Sequence, residues 1–253
     1  MRVARGSASL LLSHGRGIAP QDALKKDSRG LLRVGAMIAV SSGDGIDEFF
    51  KEIGVSQIVK GGQTMNPSAE DFLAAIKKAN ARNVYIFPNN SNILMAASQA
   101  SEMVEDEETN VYVIPSKTIL QGISASIMFN TEASPEENFD EMKSALTNVK
   151  SGEVTFAIRD SELNGVHVKK DDYIAIMEKE IVADHKDKFE VLKLLLNKMI
   201  DDDSSLITLI VGQDVKENEV EKIKEYIEEK YSDLDLDIHM GLQPVYSFLV
   251  GIE

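Results

Sequence analysis

The sequence predicts an α/β protein: a parallel sheet with helical crossovers, followed by a second α+β unit with antiparallel strands. Three observations carry that prediction. Short apolar runs, Ile38-Ala39-Val40, Gln57-Ile58-Val59, Val84-Tyr85-Ile86-Phe87 and Val111 to Ile114, alternate with helix-period segments, which is how strand–helix–strand units of a parallel sheet read. The first three runs lead into loops rich in Gly, Asn and Gln: Ser41-Ser42-Gly43-Asp44-Gly45, Gly61-Gly62-Gln63-Thr64-Met65-Asn66-Pro67-Ser68 and Pro88-Asn89-Asn90-Ser91-Asn92. Near Gly152 the pattern changes to strands with hairpin signals, then helices. The chain therefore divides into residues 1–33, 34–150 and 151–253.

Residues 1–33 hold seven Lys/Arg and two Asp/Glu without a sustained period. They read as a disordered or cloning-derived leader, with a targeting or basic docking arm as the alternative. The first strand ends near Val40. Asp44 or Gly45 opens a helix with Ile46, Phe49, Phe50 and Ile53 at i, i+3, i+4, i+7. After the strand Gln57–Val59, Ser68 caps a helix through Phe72, Leu73, Ile76 and Ala79, with Asp71 at the capping-box position. The strand Val84–Phe87 leads to a helix from about Asn92 to Val104. The strand Val111–Ile114 leads through Pro115-Ser116-Lys117-Thr118 to a helix with Ile119, Ile123 and Ile127. Pro135 starts a further helix through Phe139, Met142, Leu146 and Val149. Val154–Ile158 reads as a strand. Asn164-Gly165 supplies the positive φ of a type I′ hairpin turn, so Leu163 and Val166 flank a hairpin. Val166–Val168, Tyr173–Met177 and Glu180–Val182 are strands, Phe189–Ile200 a helix, Leu206–Val211 a strand and Asn218–Tyr231 a charged helix. Leu234–His239 and Val245–Ile252 close the chain as strands.

Composition narrows the function. With 43% hydrophobic and 27% charged residues over 253 positions, the chain can bury a core. It has no Cys, which excludes disulfides and thiolate metal sites and fits a reducing compartment. No apolar run is long enough to span a membrane. Beyond residue 33, twenty Lys/Arg face forty Asp/Glu. Such an acidic body disfavours nucleic acid and anionic lipid, and suits solubility or a basic protein partner.

All strand-to-helix loops of a parallel sheet emerge at one edge, where open α/β folds bind ligands. The candidate binding residues sit there: Asp44, Gln63, Thr64, Asn66, Ser68, Asn89, Asn90, Lys117, Thr118 and Gln121. Gly61-Gly62 permits close backbone approach, and Thr64, Asn66 and Ser68 precede a helix N-terminus that favours an anion. That loop either cradles a carboxylate or phosphate, docks a partner, or caps its own helix. Asp44 is a metal ligand, a base or a cap. Asn89 and Asn90 offer amides without a titrating group, and Lys117 with Gln121 offers the one cation near this edge. Asp201-Asp202-Asp203 reads as a solvated helix end, and the four His residues show no metal pair or triad. Gly241-Leu242-Gln243-Pro244 is a polar turn that either presents Gln243 or joins two strands.

The loops Gly61 to Ser68 and Pro88 to Asn92, with Ile114-Pro115-Ser116-Lys117-Thr118-Ile119-Leu120-Gln121-Gly122, Ser151-Gly152-Glu153-Val154-Thr155-Phe156-Ala157-Ile158-Arg159-Asp160 and the segment Gly241 to Glu253, resemble the C-terminal region of bacterial dihydroxyacetone-kinase-like proteins, the kinase subunit of fatty acid kinase. The resemblance spans about residues 37–253. One position departs from it: the family has Gly-Gly-Gln-Pro near the end, and Leu242 stands for the second Gly. The resemblance implies a DegV-like two-domain fold in a cytoplasmic bacterial protein. It implies that ATP and Mg belong to a separate kinase domain, leaving this region without cofactor or catalytic residues of its own. The implied partners are a DegV-type fatty-acid-binding protein and the remaining domains of the kinase subunit. Direct binding of a fatty acid or carboxylate, a homodimer, and an autonomous phosphotransferase centred on Asp44 and Lys117 remain as alternatives.

Overall fold

A computed structural model describes residues 33–62, 65–163 and 166–253. Of the leader expected over residues 1–33, all but Arg33 lies outside the described residues, as do Gln63 and Thr64 of the glycine loop and the Asn164-Gly165 turn; Arg33 itself belongs to the first strand.

The chain forms two compact units. One holds the described residues up to Ser42 together with Asp47–Asn148; the other holds Gly43–Ile46 and Val149–Glu253. The first unit is built on β1 (Arg33–Ser41), β2 (Gln57–Lys60), β3 (Ala81–Phe87) and β4 (Asn110–Val113), all parallel, in the order β2-β1-β3-β4. Its helices are α1 (Asp44–Glu52) from Asp47 onward, α2 (Ala69–Ala79), α3 (Leu94–Glu102), α4 (Ile119–Ile127) and α5 (Pro135–Ala145). Both faces of the sheet are covered, which is why its central strands are apolar at consecutive positions rather than alternately. Ala36, Ile38, Val40, Val84 and Ile86 pack with Phe72 and Ile76 of α2 and Ala97 and Ala100 of α3. On the opposite face Met37 and Tyr85 are buried, and the Tyr85 ring lies against Tyr112 and Phe129. Gly35 is required there: a Cβ would fall 2.8 Å from the Phe129 ring.

The helix ends follow local chemistry. Ser68 and Asp71 make a complete capping box on α2, and Ser134 with Glu137 makes another on α5. In both boxes the N-cap backbone and side chain hold the carboxyl below its usual range. Two boundaries differ from expectation. α3 begins at Leu94 rather than Asn92, because Asn90 Oδ1 accepts from the Asn92 amide and forms a turn first. α5 stops at Ala145 rather than running to Val149, because the Thr147 and Asn148 amides turn back to Ser144 and Ala145.

The second unit has a six-stranded mixed sheet, order β11-β10-β12-β5-β8-β9. Its strands are β5 (Lys150–Phe156), β8 (Tyr173–Met177), β9 (Glu180–His185), β10 (Leu206–Val211), β11 (Asp235–Met240) and β12 (Tyr246–Ile252). A small antiparallel pair, β6 (Ser161–Leu163) and β7 (Val166–Val168), accompanies it. Helices α6 (Lys188–Met199) and α7 (Glu217–Lys230) cover one face through Leu195, Leu196, Ile223 and Ile227 against Leu209, Phe248 and Val250. A ladder of cations and rings seals their outer seam: Lys193 lies over Phe189 and Tyr226, and Lys230 over Tyr226 and Tyr231.

The sheet corrects two expectations. β5 begins at Lys150 and ends at Phe156, not Val154 to Ile158. Ser151-Gly152-Glu153 already pair with β12, and Gly152 passes so close to α6 that a Cβ would lie 2.5 Å from Met199 Sδ. Pairing is also not wholly antiparallel: β11 lies parallel to β10, because α7 is a crossover connection between them.

Candidate functional site

In the order β2-β1-β3-β4 the chain leaves β1 toward one side and later passes β1 to build β3 and β4 on the other. The crevice between the C-terminal ends of β1 and β3 is therefore the switch point, the usual ligand position of an open α/β sheet. Asn89, the second residue after β3, occupies it. Its backbone is left-handed (φ 56°) and it is 6% exposed. Asn89 Nδ2–H donates to Val40 O of β1 at 2.9 Å. Ser116 Oγ–H donates to Asn89 Oδ1 at 2.8 Å, and Ser116 Oγ accepts from the Asn89 backbone N–H at 3.0 Å. Helix α4 closes on this group at Gly122, where a Cβ would stand 2.0 Å from Asn89 Oδ1.

The neighbouring candidates are mostly engaged with their own loops. Asn90 is buried and holds the turn before α3. Thr118 caps α4 by accepting from the Gln121 amide at 3.2 Å. Gln121 Oε1 accepts from the Lys117 amide at 2.8 Å, and its Nε2–H donates to Leu146 O at 3.2 Å. Ser68 is used in the α2 box. Asp44 is exposed in the first turn of α1. Asn66 and the Lys117 side chain face solvent, as do two methionines, Met65 (55% exposed) and Met95 (80%). Met65, Asn66 and Pro67 line an open groove of about 420 Å³ beside edge strand β2, together with Lys60, Asp71 and Lys78.

Three features escaped the sequence reading. Asp47 of α1 is buried and pairs with Lys60 at the end of β2. In the second unit, His239 Nε2 lies 2.8 Å from Oδ2 of buried Asp237. Those two residues are i and i+2 on one strand and so share a face, a spacing that could have revealed the pair. Glu153 of β5 is half-buried beside Tyr246: the loss of solvent raises its carboxyl above the ordinary range, and burial together with the Glu153 charge raises the Tyr246 hydroxyl. Among the described residues, no group of three or more His, Asp and Glu is placed to hold a metal ion, and no helix is long and apolar enough to cross a membrane.

The two sheets and the loop edge define a two-unit α/β domain of the DegV fold. It superposes on a DegV family protein, Cg2579 from Corynebacterium glutamicum, with a TM-score of 0.62 at 14% identity, covering 87% of this chain and 96% of that one. The Streptococcus pneumoniae fatty acid kinase B3 protein loaded with linoleic acid gives 0.59 at 15% identity, covering 87% and 99%. The dihydroxyacetone kinase of C. freundii gives 0.59 at 15%, covering 97% and 55%. The chain belongs to the FakA-like C-terminal family, the C-terminal region of fatty acid kinase A-type subunits, which matches residues 36–253. Protein YloV of Bacillus subtilis is 42% identical over 217 residues, 86% of this chain and 39% of that protein. The chain thus spans about two fifths of the length of the curated relatives it matches.

Proposed function

We propose that this chain is the partner-recognition region of a fatty acid kinase, working in the cytoplasm. It docks a DegV-type protein that carries the fatty acid, so that a separate kinase domain, with its own ATP and Mg, phosphorylates the acyl carboxylate. The observation that carries this reading is the division of labour at the loop edge of the parallel sheet. Its buried polar side chains face one another, while Met65, Met95, Asn66 and Lys117 face outward. Exposed methionines adapt to a partner surface, and an amide and a cation at the same edge add direction.

Calorimetric titration with the acyl-carrying protein, lipid-loaded and lipid-free, tests the proposal. The pair of changes Met95→Asp and Lys117→Glu should weaken binding at least tenfold with an unchanged unfolding curve. Unaltered affinity would remove this edge from the account.

A second reading, in which the chain itself holds a fatty acid, draws on its likeness in fold to a protein solved with linoleic acid. Native mass spectrometry after incubation with oleate separates the two: bare protein favours docking, and a bound acyl chain favours direct carriage.

A further inference from the structure

We propose that the crevice between β1 and β3 is a binding cell for a planar primary amide or uncharged carboxyl group, and that the chain fills this cell with its own Asn89. The cell has a defined polarity. Val40 O is an acceptor and requires a donor; Ser116 Oγ–H is a donor and requires an acceptor. A primary amide offers both on one edge, and so does a protonated carboxylic acid. A carboxylate offers only acceptors and would set a negative oxygen against Val40 O.

Three further observations mark Asn89 as a filler rather than a loop residue. Its left-handed backbone turns the side chain back to the end of β1, to a residue 49 positions earlier in sequence, a conformation Asn tolerates better than other non-glycine residues. The α4 position that closes the cell is glycine, and any Cβ there would overlap the amide. The amide is buried, so water does not substitute for it. The cell is defined by geometry alone and is independent of partner docking. For the docking reading one consequence follows: the unit's natural ligand position is closed from within, and an acyl head group must be held elsewhere.

The test is chemical rescue of Asn89→Gly, which keeps the left-handed backbone and empties the cell. Acetamide, which reproduces the lost CH₂–CO–NH₂ group, is titrated against thermal unfolding of the variant and the parent chain. Binding to the folded variant multiplies its folded-to-unfolded ratio by one plus ligand concentration over Kd, so a concentration ten times Kd gives about an elevenfold gain. The parent should show no such gain, acetate at neutral pH should give none with the variant, and Ser116→Ala in the variant should abolish the effect. Equal shifts in parent and variant, equal rescue by acetate, or no rescue would each overturn the proposal. If Asn89→Gly does not fold alone, folding restored by acetamide supports the cell. Asn89→Ser, whose side chain stops one bond short of the amide nitrogen and leaves Val40 O open, then serves for the same titration: a saturable gain supports the proposal and its absence overturns it.

Discussion

Gly122→Ala tests the packing around Asn89 most sharply, because two ordinary effects of opposite sign meet there. An alanine within α4 should gain about 1 kcal/mol in helix propensity over glycine. The new methyl, however, would lie 2.0 Å from Asn89 Oδ1, 2.6 Å from Cγ and 2.8 Å from Nδ2. Asn89 must leave, and with it go the bonds to Val40 O and Ser116 Oγ. Each lost bond costs about 1 kcal/mol, and about 1–3 kcal/mol where a partner stays buried without a substitute. Against the propensity gain, a net loss of about 2 kcal/mol follows. Urea unfolding followed by circular dichroism measures it. In the Asn89→Gly background no amide remains to be displaced, so the same substitution should stabilise by about 1 kcal/mol. The cycle therefore carries a coupling of about 3 kcal/mol, well beyond the scatter of independent sites. A neutral or stabilising single substitution, or additive effects, would refute the argument.

Other positions give smaller tests. Leu242 sits at φ 54° with its side chain exposed; Leu242→Gly should leave urea stability within about 0.5 kcal/mol, as strain relief offsets unfolded-state entropy, whereas Leu242→Ile should cost about 1 kcal/mol or more. Gln243 is 3% exposed and donates to Ile210 O and Tyr246 O, so Gln243→Leu should lose about 2 kcal/mol in the same assay, because two buried carbonyls lose a donor. Glu153 has its carboxyl raised by burial, so its contribution is fully present below the unfolded pKa and is lost as pH rises through the folded one. Glu153→Gln should therefore melt higher than the parent at pH 7, with the difference fading as the pH approaches about 4.

Local rules made much of this fold readable. Ser68 three residues before Asp71, or Pro135 after Ser134, states a helix start in four letters, and the structure has capping boxes at both. Apolar runs such as Val84–Phe87 announce strands buried on both faces. What stayed hidden depends on partners far away in sequence. Nothing near Asn89 tells that its amide reaches Val40 or that Gly122 makes room for it. The candidates at the loop edge include several whose hydrogen bonds are spent locally, notably Thr118 and Gln121, because capping and recognition draw on the same side chains. Leu242 illustrates a different limit. A left-handed backbone suits glycine, and here that backbone is kept with a leucine, held by hydrogen bonds from the Gly241 and Leu242 amides to Val211 O.

The order of strands in the second sheet governs how the protein can be made. β12 lies between β10 and β5 and hydrogen-bonds to both, so the centre of the sheet is the strand that the ribosome supplies after the other five. The same lateness reaches far back along the chain: the amides of Gly45 and Ile46, which open α1, donate to Gly241 O. The nascent second unit must therefore wait with β5 and β10 unpaired along one edge, a period in which other chains can pair with them. Once Tyr246–Ile252 emerges, a single strand joins the two halves, and loss of that strand would undo the sheet from the middle rather than fray it from the side.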